Sequence, residues 1–270
     1  MPPAAPGLRA VGRIVLLSAL GLLISGPAFA GAFEQRQKKY PRYRAALAED
    51  GADVERRFRD AGAAWPPRLF LRAFKLEGVL EMWAAPAGGD RWIKVRSFPV
   101  CARSGRLGPK RRVGDFQVPE GFYRIDRFNP ASQFHLSLGI DYPNAFDRTR
   151  TPRGVSPGGD IFIHGNCVTI GCLPLQDEPM ELLYVAAVAA WDAGHRRTPV
   201  HIFPCRFGTD RCIETLAEAG AERPRDAATW PALMPGYRLF EDERVPPRVR
   251  VDARGYRVRS GRRSQPTAPR

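Results

Sequence analysis

Five cysteines, at positions 101, 167, 172, 205 and 212, most constrain how this chain folds, once the compartment in which it folds is known. The first 30 residues carry Arg9 and Arg13, no acidic residue, an apolar run over residues 14 to 24, and then the small-x-small triplet Ala28-Phe29-Ala30. The run is too short to span a bilayer comfortably, and the pattern is that of a cleaved export leader, with the mature chain starting near Gly31. An uncleaved anchor is the alternative. In an oxidising compartment thiols pair, and an odd count leaves at least one over. Cys205 and Cys212 enclose the short polar loop CRFGTDRC and are the preferred local pair. A second bridge would join Cys101 to Cys167 and leave Cys172 free.

Removing the leader from the 270-residue chain leaves 240 residues, enough for one large domain or one domain with helical additions. The formal charge of +14 falls to +12 when the two leader arginines go. Such a balance favours an anionic neighbour, which for an exported chain is a cell envelope. Nucleic-acid binding would need a basic stripe interleaved with stacking aromatics, whereas these arginines are scattered. After the leader no segment is apolar for long enough to cross a membrane, so the mature chain is expected to be periplasmic, without a transmembrane segment.

Periodicity gives a coarse scaffold. A helix is expected over residues 43 to 59. LFLRAFKLEGVLEMWAAP then reads as a strand, Gly88-Gly89-Asp90 as a turn and RWIKVRSFPV as the next strand. FQVPEGFYRIDRF and QFHLSLGIDY continue the β pattern. The loop TRTPRGVSPGGD leads into a short strand over residues 161 to 163, so that His164 sits at a strand end. A helix follows, with Asp177 as N-cap, Met180, Leu183, Tyr184, Ala187, Val188 and Trp191 at helical spacing, and its end at Gly194. PVHIFP is a further strand, and a helical stretch runs through Trp230. The fold class is mainly β with peripheral α-helices. The expected division is a leader over 1–30, an N-terminal helical segment over 31–67, a catalytic domain over 68–205, a C-terminal helical extension over 206–256 and a disordered basic tail over 257–270.

The stretch IFIHGNCVTIGC, residues 161 to 172, concentrates the reactive side chains. A cysteine is a good nucleophile as thiolate, and a nearby imidazole both takes its proton and stabilises the charge. His164 and Cys172 form the favoured pair, and a depressed thiol pKa is expected from it. Gly171 lets the backbone turn, so that amides at 171 and 172 point at the oxygen of an attacked carbonyl. Gly165 leaves room beside the imidazole, and its carbonyl would hold the ring in the useful tautomer. Two other readings stay open: zinc ligation by His164, Cys167 and Cys172, which lacks a fourth ligand, and a buried structural histidine beside a disulfide. Of the other histidines, His195 reads as solvated, His201 as core, and His135 as structural or lining a cleft.

IHGNCVTIGC resembles the active-site motif of the L,D-transpeptidase (YkuD-type) catalytic domain family, in which His-Gly is followed by Ser or Thr, one residue, and Gly-Cys. FKLEGVLEMW, CARSGRLGPKRRVGDFQVPEGFY, NPASQFHLSLGIDYPNAFDR and GYRLFEDERVPPRV are similar to its branch of YafK-like periplasmic proteins, and the resemblance covers roughly residues 68 to 252. It implies a β-sandwich-like catalytic domain, Cys172 as nucleophile, His164 as general base, Gly165 as the carbonyl that orients the base, and Thr169 near the oxyanion hole. It also implies acyl transfer on peptidoglycan stem peptides: the thiolate attacks the carbonyl at the L-centre of diaminopimelate and a thioester passes to an acceptor, with no metal or other cofactor.

Two positions depart from the family pattern. Ile170 stands where a histidine usually precedes Gly-Cys, and Pro174 where an arginine usually follows the cysteine. Arg148, Arg150 and Arg153 are the candidates to replace that arginine, a solvated basic loop being the alternative. A similar short motif occurs in a hydrolytic branch that detaches an outer-membrane lipoprotein from peptidoglycan by cutting the diaminopimelate to lysine amide. Three functions therefore remain on the sequence: a transpeptidase, an amidase that passes the same thioester to water, and a non-catalytic wall-binding protein.

Overall fold

The computed structural model describes Met1 and residues 31 to 262; residues 2 to 30, where the leader is expected, and the last eight residues, in the expected basic tail, lie outside the described residues. From residue 31 on, two helices come first, α1 (Ala32–Gln37) and α2 (Pro41–Asp60), the second started by a proline in its first turn, where the missing N–H costs nothing. Three strands follow: β1 (Leu69–Phe74), β2 (Val79–Ala84) and β3 (Ile93–Pro99). The apolar stretch expected as one strand is thus a hairpin, because Gly78 at φ +63° reverses the chain between Phe74 and Val79, which pair.

Strands β4 (Gly121–Asn129) and β5 (Ser137–Ile140) lead to the short helix α3 (Ala145–Arg150), started by a capping box between Asn144 and Asp147. The next elements carry the motif: β6 (Phe162–His164), β7 (Leu173–Pro174) and α4 (Asp177–Asp192). Gln176, not Asp177, is the N-cap of α4; the Asp177 carboxylate instead accepts the Asn166 N–H at 2.8 Å. Strand β8 (Pro199–Phe203) precedes α5 (Asp210–Glu222), α6 (Pro224–Ala227) and α7 (Trp230–Glu243). The chain closes on a hairpin of β9 (Arg248–Asp252) and β10 (Gly255–Arg259). The C-terminal extension is therefore not wholly helical, and Arg257 belongs to a strand rather than to a tail.

Eight strands form one mixed sheet in the order β3-β2-β1-β8-β4-β5-β6-β7. The β1/β8 and β6/β7 pairs are parallel and the rest antiparallel. Both faces of its centre are covered, which is why every residue of β1 is buried, Arg72 included. Leu69, Leu71 and Ala73 join α2 and α4 in the main core, while Phe74 on the opposite face packs with Phe122, Phe203, Leu233 and Tyr237. The apolar stripe of α4 is core as expected, with Leu183, Tyr184 and Val188 fully buried. No helix among the described residues is long and apolar enough to cross a membrane.

Candidate active site

The sheet ends at the motif. Ser137 of β5 pairs with His164, and β6 then runs parallel to β7 with Ile163 opposite Leu173 and His164 opposite Pro174. Cys172 immediately precedes β7, beside Phe162, and its sulfur accepts the Phe162 N–H at 3.4 Å. Eight residues of separation thus shrink to two positions across neighbouring strands. Gly171, at φ +137°, makes the turn that delivers Cys172, and a side chain there would meet the Gln117 carbonyl at 3.1 Å.

His164 is 2% exposed, with Nδ1 at 2.6 Å from the Gly165 carbonyl. A carbonyl only accepts, so Nδ1 carries the proton and Nε2 presents its lone pair. Burial pushes the imidazole pKa down, partly opposed by the Gly165 bond, and the net lowering leaves the ring neutral at pH 7. The Phe134 ring lies against it, centroids 4.9 Å apart. Gly165 cannot carry a side chain: an added Cβ would sit 2.6 Å from the Asp177 carboxylate and 2.8 Å from His135 Cβ.

Cys172 is the free thiol among the described cysteines, since Cys101 is bonded to Cys167 and Cys205 to Cys212, the pairing anticipated from the sequence. Cys167 accordingly offers no thiolate to a metal, which removes one of the three zinc ligands considered. The thiol departs from expectation. Burial pushes its pKa up rather than down, the Phe162 amide and Lys110 opposing in part, and His164 and Cys172 share no hydrogen bond among the described residues. The Sγ–H instead lies 3.7 Å from the Asp160 carbonyl. Thr169 is where the motif places it, and its hydroxyl accepts the N–H groups of Cys172 at 2.8 Å and Gly171 at 3.2 Å while donating to the Cys172 carbonyl at 2.9 Å. The two amides expected to face a substrate oxygen are therefore held by Thr169 in this state.

The remaining candidates fall into two groups. His135 lies beside Gly165, but its Nε2 is 2.6 Å from Glu181 of α4, so its ring is engaged with the helix. Arg150 is committed elsewhere, its guanidinium 4.2 Å over the Phe146 ring and bonded to Thr229. Arg148 and Arg153 are exposed, in α3 and in the loop that ends at Asp160. His195 is exposed and His201 buried in β8, both as read. The sequence reading missed Phe134, next to the histidine it did single out. It also missed the segment of residues 102 to 107, which lines a cavity of about 210 Å³ together with Cys172. The signal for that segment was present, because a bridge from Cys101 to Cys167 brings it to the motif.

No family model matches the chain. It is 32% identical over 188 residues to a protein of Escherichia coli K12 named "Putative L,D-transpeptidase YafK", covering 68% of this chain and 70% of the relative, and equally to its Escherichia coli O157:H7 counterpart. Among solved structures, the helical cell shape determining protein Pgp2 (K307A mutant) of Campylobacter jejuni aligns with 24% identity and a TM-score of 0.41, over 52% of this chain and 48% of that one. This chain thus spans about half the length of Pgp2. L,D-transpeptidase 1 of Mycobacterium tuberculosis aligns with 13% identity and a TM-score of 0.30, over 51% of this chain and 62% of that one.

Proposed function

Since this chain belongs to the L,D-transpeptidase family, we propose that it is an exported cysteine acyltransferase acting in the periplasm on peptidoglycan stem peptides at diaminopimelate. The observation that carries the reading is the neutral His164, its Nδ1 pinned to Gly165 and its Nε2 left without a hydrogen-bond partner among the described residues, two strand positions from the free thiol of Cys172.

In the proposed reaction, Nε2 takes the Sγ proton and the sulfur attacks the carbonyl carbon of the donor amide. The tetrahedral intermediate collapses, the C–N bond breaks, and the imidazolium returns its proton to the departing amine. A thioester on Cys172 remains. An incoming amine, deprotonated by His164, then takes the acyl group and regenerates the thiol. Because both starting groups are neutral, the ion pair forms as the substrate arrives rather than standing ready in the free protein.

Capture of the same thioester by water would make the protein an amidase that detaches wall-bound lipoprotein. This second reading is favoured by Ile170, 74% exposed, and by Pro174, which stand where the family pattern has a histidine and an arginine. Mass spectrometry of lipoprotein-bearing sacculi, incubated with the protein and with Cys172→Ala, tests both. New diaminopimelate cross-links or exchanged stem termini support transpeptidation, and released lipoprotein without them supports hydrolysis. Unchanged activity of the alanine variant would sink both and leave a wall-binding role.

A further inference from the structure

The cavity beside Cys172 is lined by residues 102 to 107, the segment anchored by the Cys101–Cys167 bridge, together with apolar side chains that include Leu76, Val100 and Val118. Its charged lining residues are Lys75, Arg103 and Arg106, and no carboxylate among the described residues lines it. The three cations are not equivalent. Lys75 is paired with Glu120 at 3.0 Å, and Arg103 is spent on the carbonyls of Leu76 and Glu77 at 3.3 and 3.1 Å. The Arg106 guanidinium has neither a hydrogen bond nor an ion pair among the described residues, although its backbone N–H is fixed to Gln117 Oε1 at 3.1 Å. A second, independent feature points the same way: Ser104 Oγ, of a residue in the same lining, is buried without a hydrogen-bond partner among the described residues. A buried hydroxyl left without a partner costs stability unless a ligand completes it.

We infer that Arg106, with Ser104, forms a subsite that binds a carboxylate of the donor peptide next to the attacked carbonyl. An apolar-lined pocket with an uncommitted guanidinium and an unpaired hydroxyl matches a carboxylate in charge and in donor geometry. At about 210 Å³ the pocket is smaller than the ~300–1,000 Å³ cleft that encloses a whole small ligand, so it takes one end of a peptide. It also supplies the cation missing at Pro174, in place of the arginines of the α3 region. The inference rests on the acyl-transfer reading and names the substrate feature that this site recognises. The carboxylate belongs either to the terminal D-residue that leaves or to the diaminopimelate side chain, and substrate chemistry distinguishes them.

The test is kcat/KM for release of the leaving amine from three stem peptides: unmodified, amidated at the terminal carboxylate, and amidated on the diaminopimelate side chain. The full mature protein is compared with Arg106→Ala, Arg106→Lys and Ser104→Ala, with thermal melting and iodoacetamide labelling of Cys172 as fold controls. Loss of one charge-assisted contact should cost Arg106→Ala about 10- to 100-fold on the unmodified peptide. One amidated peptide should then be equally poor for the wild type and for Arg106→Ala, and which one it is assigns the carboxylate. Arg106→Lys should recover part of the loss. Equal wild-type and Arg106→Ala rates on the unmodified peptide, or the same fold loss on all three, would overturn the subsite. Turnover by Cys172→Ala would instead overturn the acyl-transfer reading itself.

Discussion

The Thr169 hydroxyl holds the backbone of Cys172 from both sides, accepting its N–H at 2.8 Å and donating to its carbonyl at 2.9 Å, while also accepting from Gly171. One side chain thereby fixes the turn that presents the nucleophile and occupies the amides that a developing oxyanion would use. Thr169→Ala frees both amides but loosens the turn, at a cost of about 1 kcal/mol per lost hydrogen bond. The expected outcome is a drop in kcat with KM little changed, and near-full recovery in Thr169→Ser, measured by steady-state kinetics on stem peptides.

The pH dependence follows from two opposite shifts with one cause. Burial lowers the His164 pKa and raises that of Cys172, so near pH 7 the free protein holds a neutral imidazole and a protonated thiol. A base must be unprotonated to act, so the acid limb of kcat/KM should fall below the ordinary imidazole range. Iodoacetamide labelling of the free protein should accelerate only above the ordinary thiol range. Fast labelling at pH 6 would show a standing thiolate and contradict this geometry.

The legible parts of this structure were those that depend on local pattern. Helical spacing marked α4, the strand-to-loop transition placed His164, the odd cysteine count required a thiol left over, and loop size favoured the Cys205–Cys212 bridge, whereas Cys101–Cys167 was one possible second pairing among others. The errors arose where burial or chain reversal decided. A β-rich run concealed the reversal at Gly78. Asp177 looks like a cap, yet its carboxylate serves the Asn166 amide across the site. The thiol shift had the wrong sign because a sequence shows that an imidazole is near but not how far both groups are withdrawn from water. The cavity beside Cys172 is assembled from residues far apart in the chain, and only the covalent link at Cys101 announced it.

A buried ion pair holds the wall of that cavity. Glu120 accepts from Lys75 at 3.0 Å, from the Gly108 N–H at 2.7 Å and from the Trp230 indole at 2.9 Å, while Lys75 also donates to the carbonyls of Gly108 and Val118. Removing one partner strands the other charge, so Glu120→Ala should destabilise the fold by about 3–5 kcal/mol in urea unfolding. Glu120→Gln keeps acceptor capacity for Gly108 or Trp230 and should lose less.

The Cys101–Cys167 bridge fastens the segment of residues 101 to 107 to the turn that carries Cys172. It spans a sequence separation of 66, a loop for which chain entropy predicts stabilisation of about 4 kcal/mol. Its removal should therefore act on stability and on the site together. The double variant Cys101→Ser/Cys167→Ser should melt lower than wild type. At temperatures where it is still folded, it should show a raised KM for stem peptides, because the Arg106 side of the cavity is no longer held against Cys172. The Cys205–Cys212 bridge closes a separation of only 7 beyond the cavity lining, so Cys205→Ser/Cys212→Ser serves as the control. It should lose stability with KM unchanged; an equal rise in KM would mean that the first bridge acts through global stability alone.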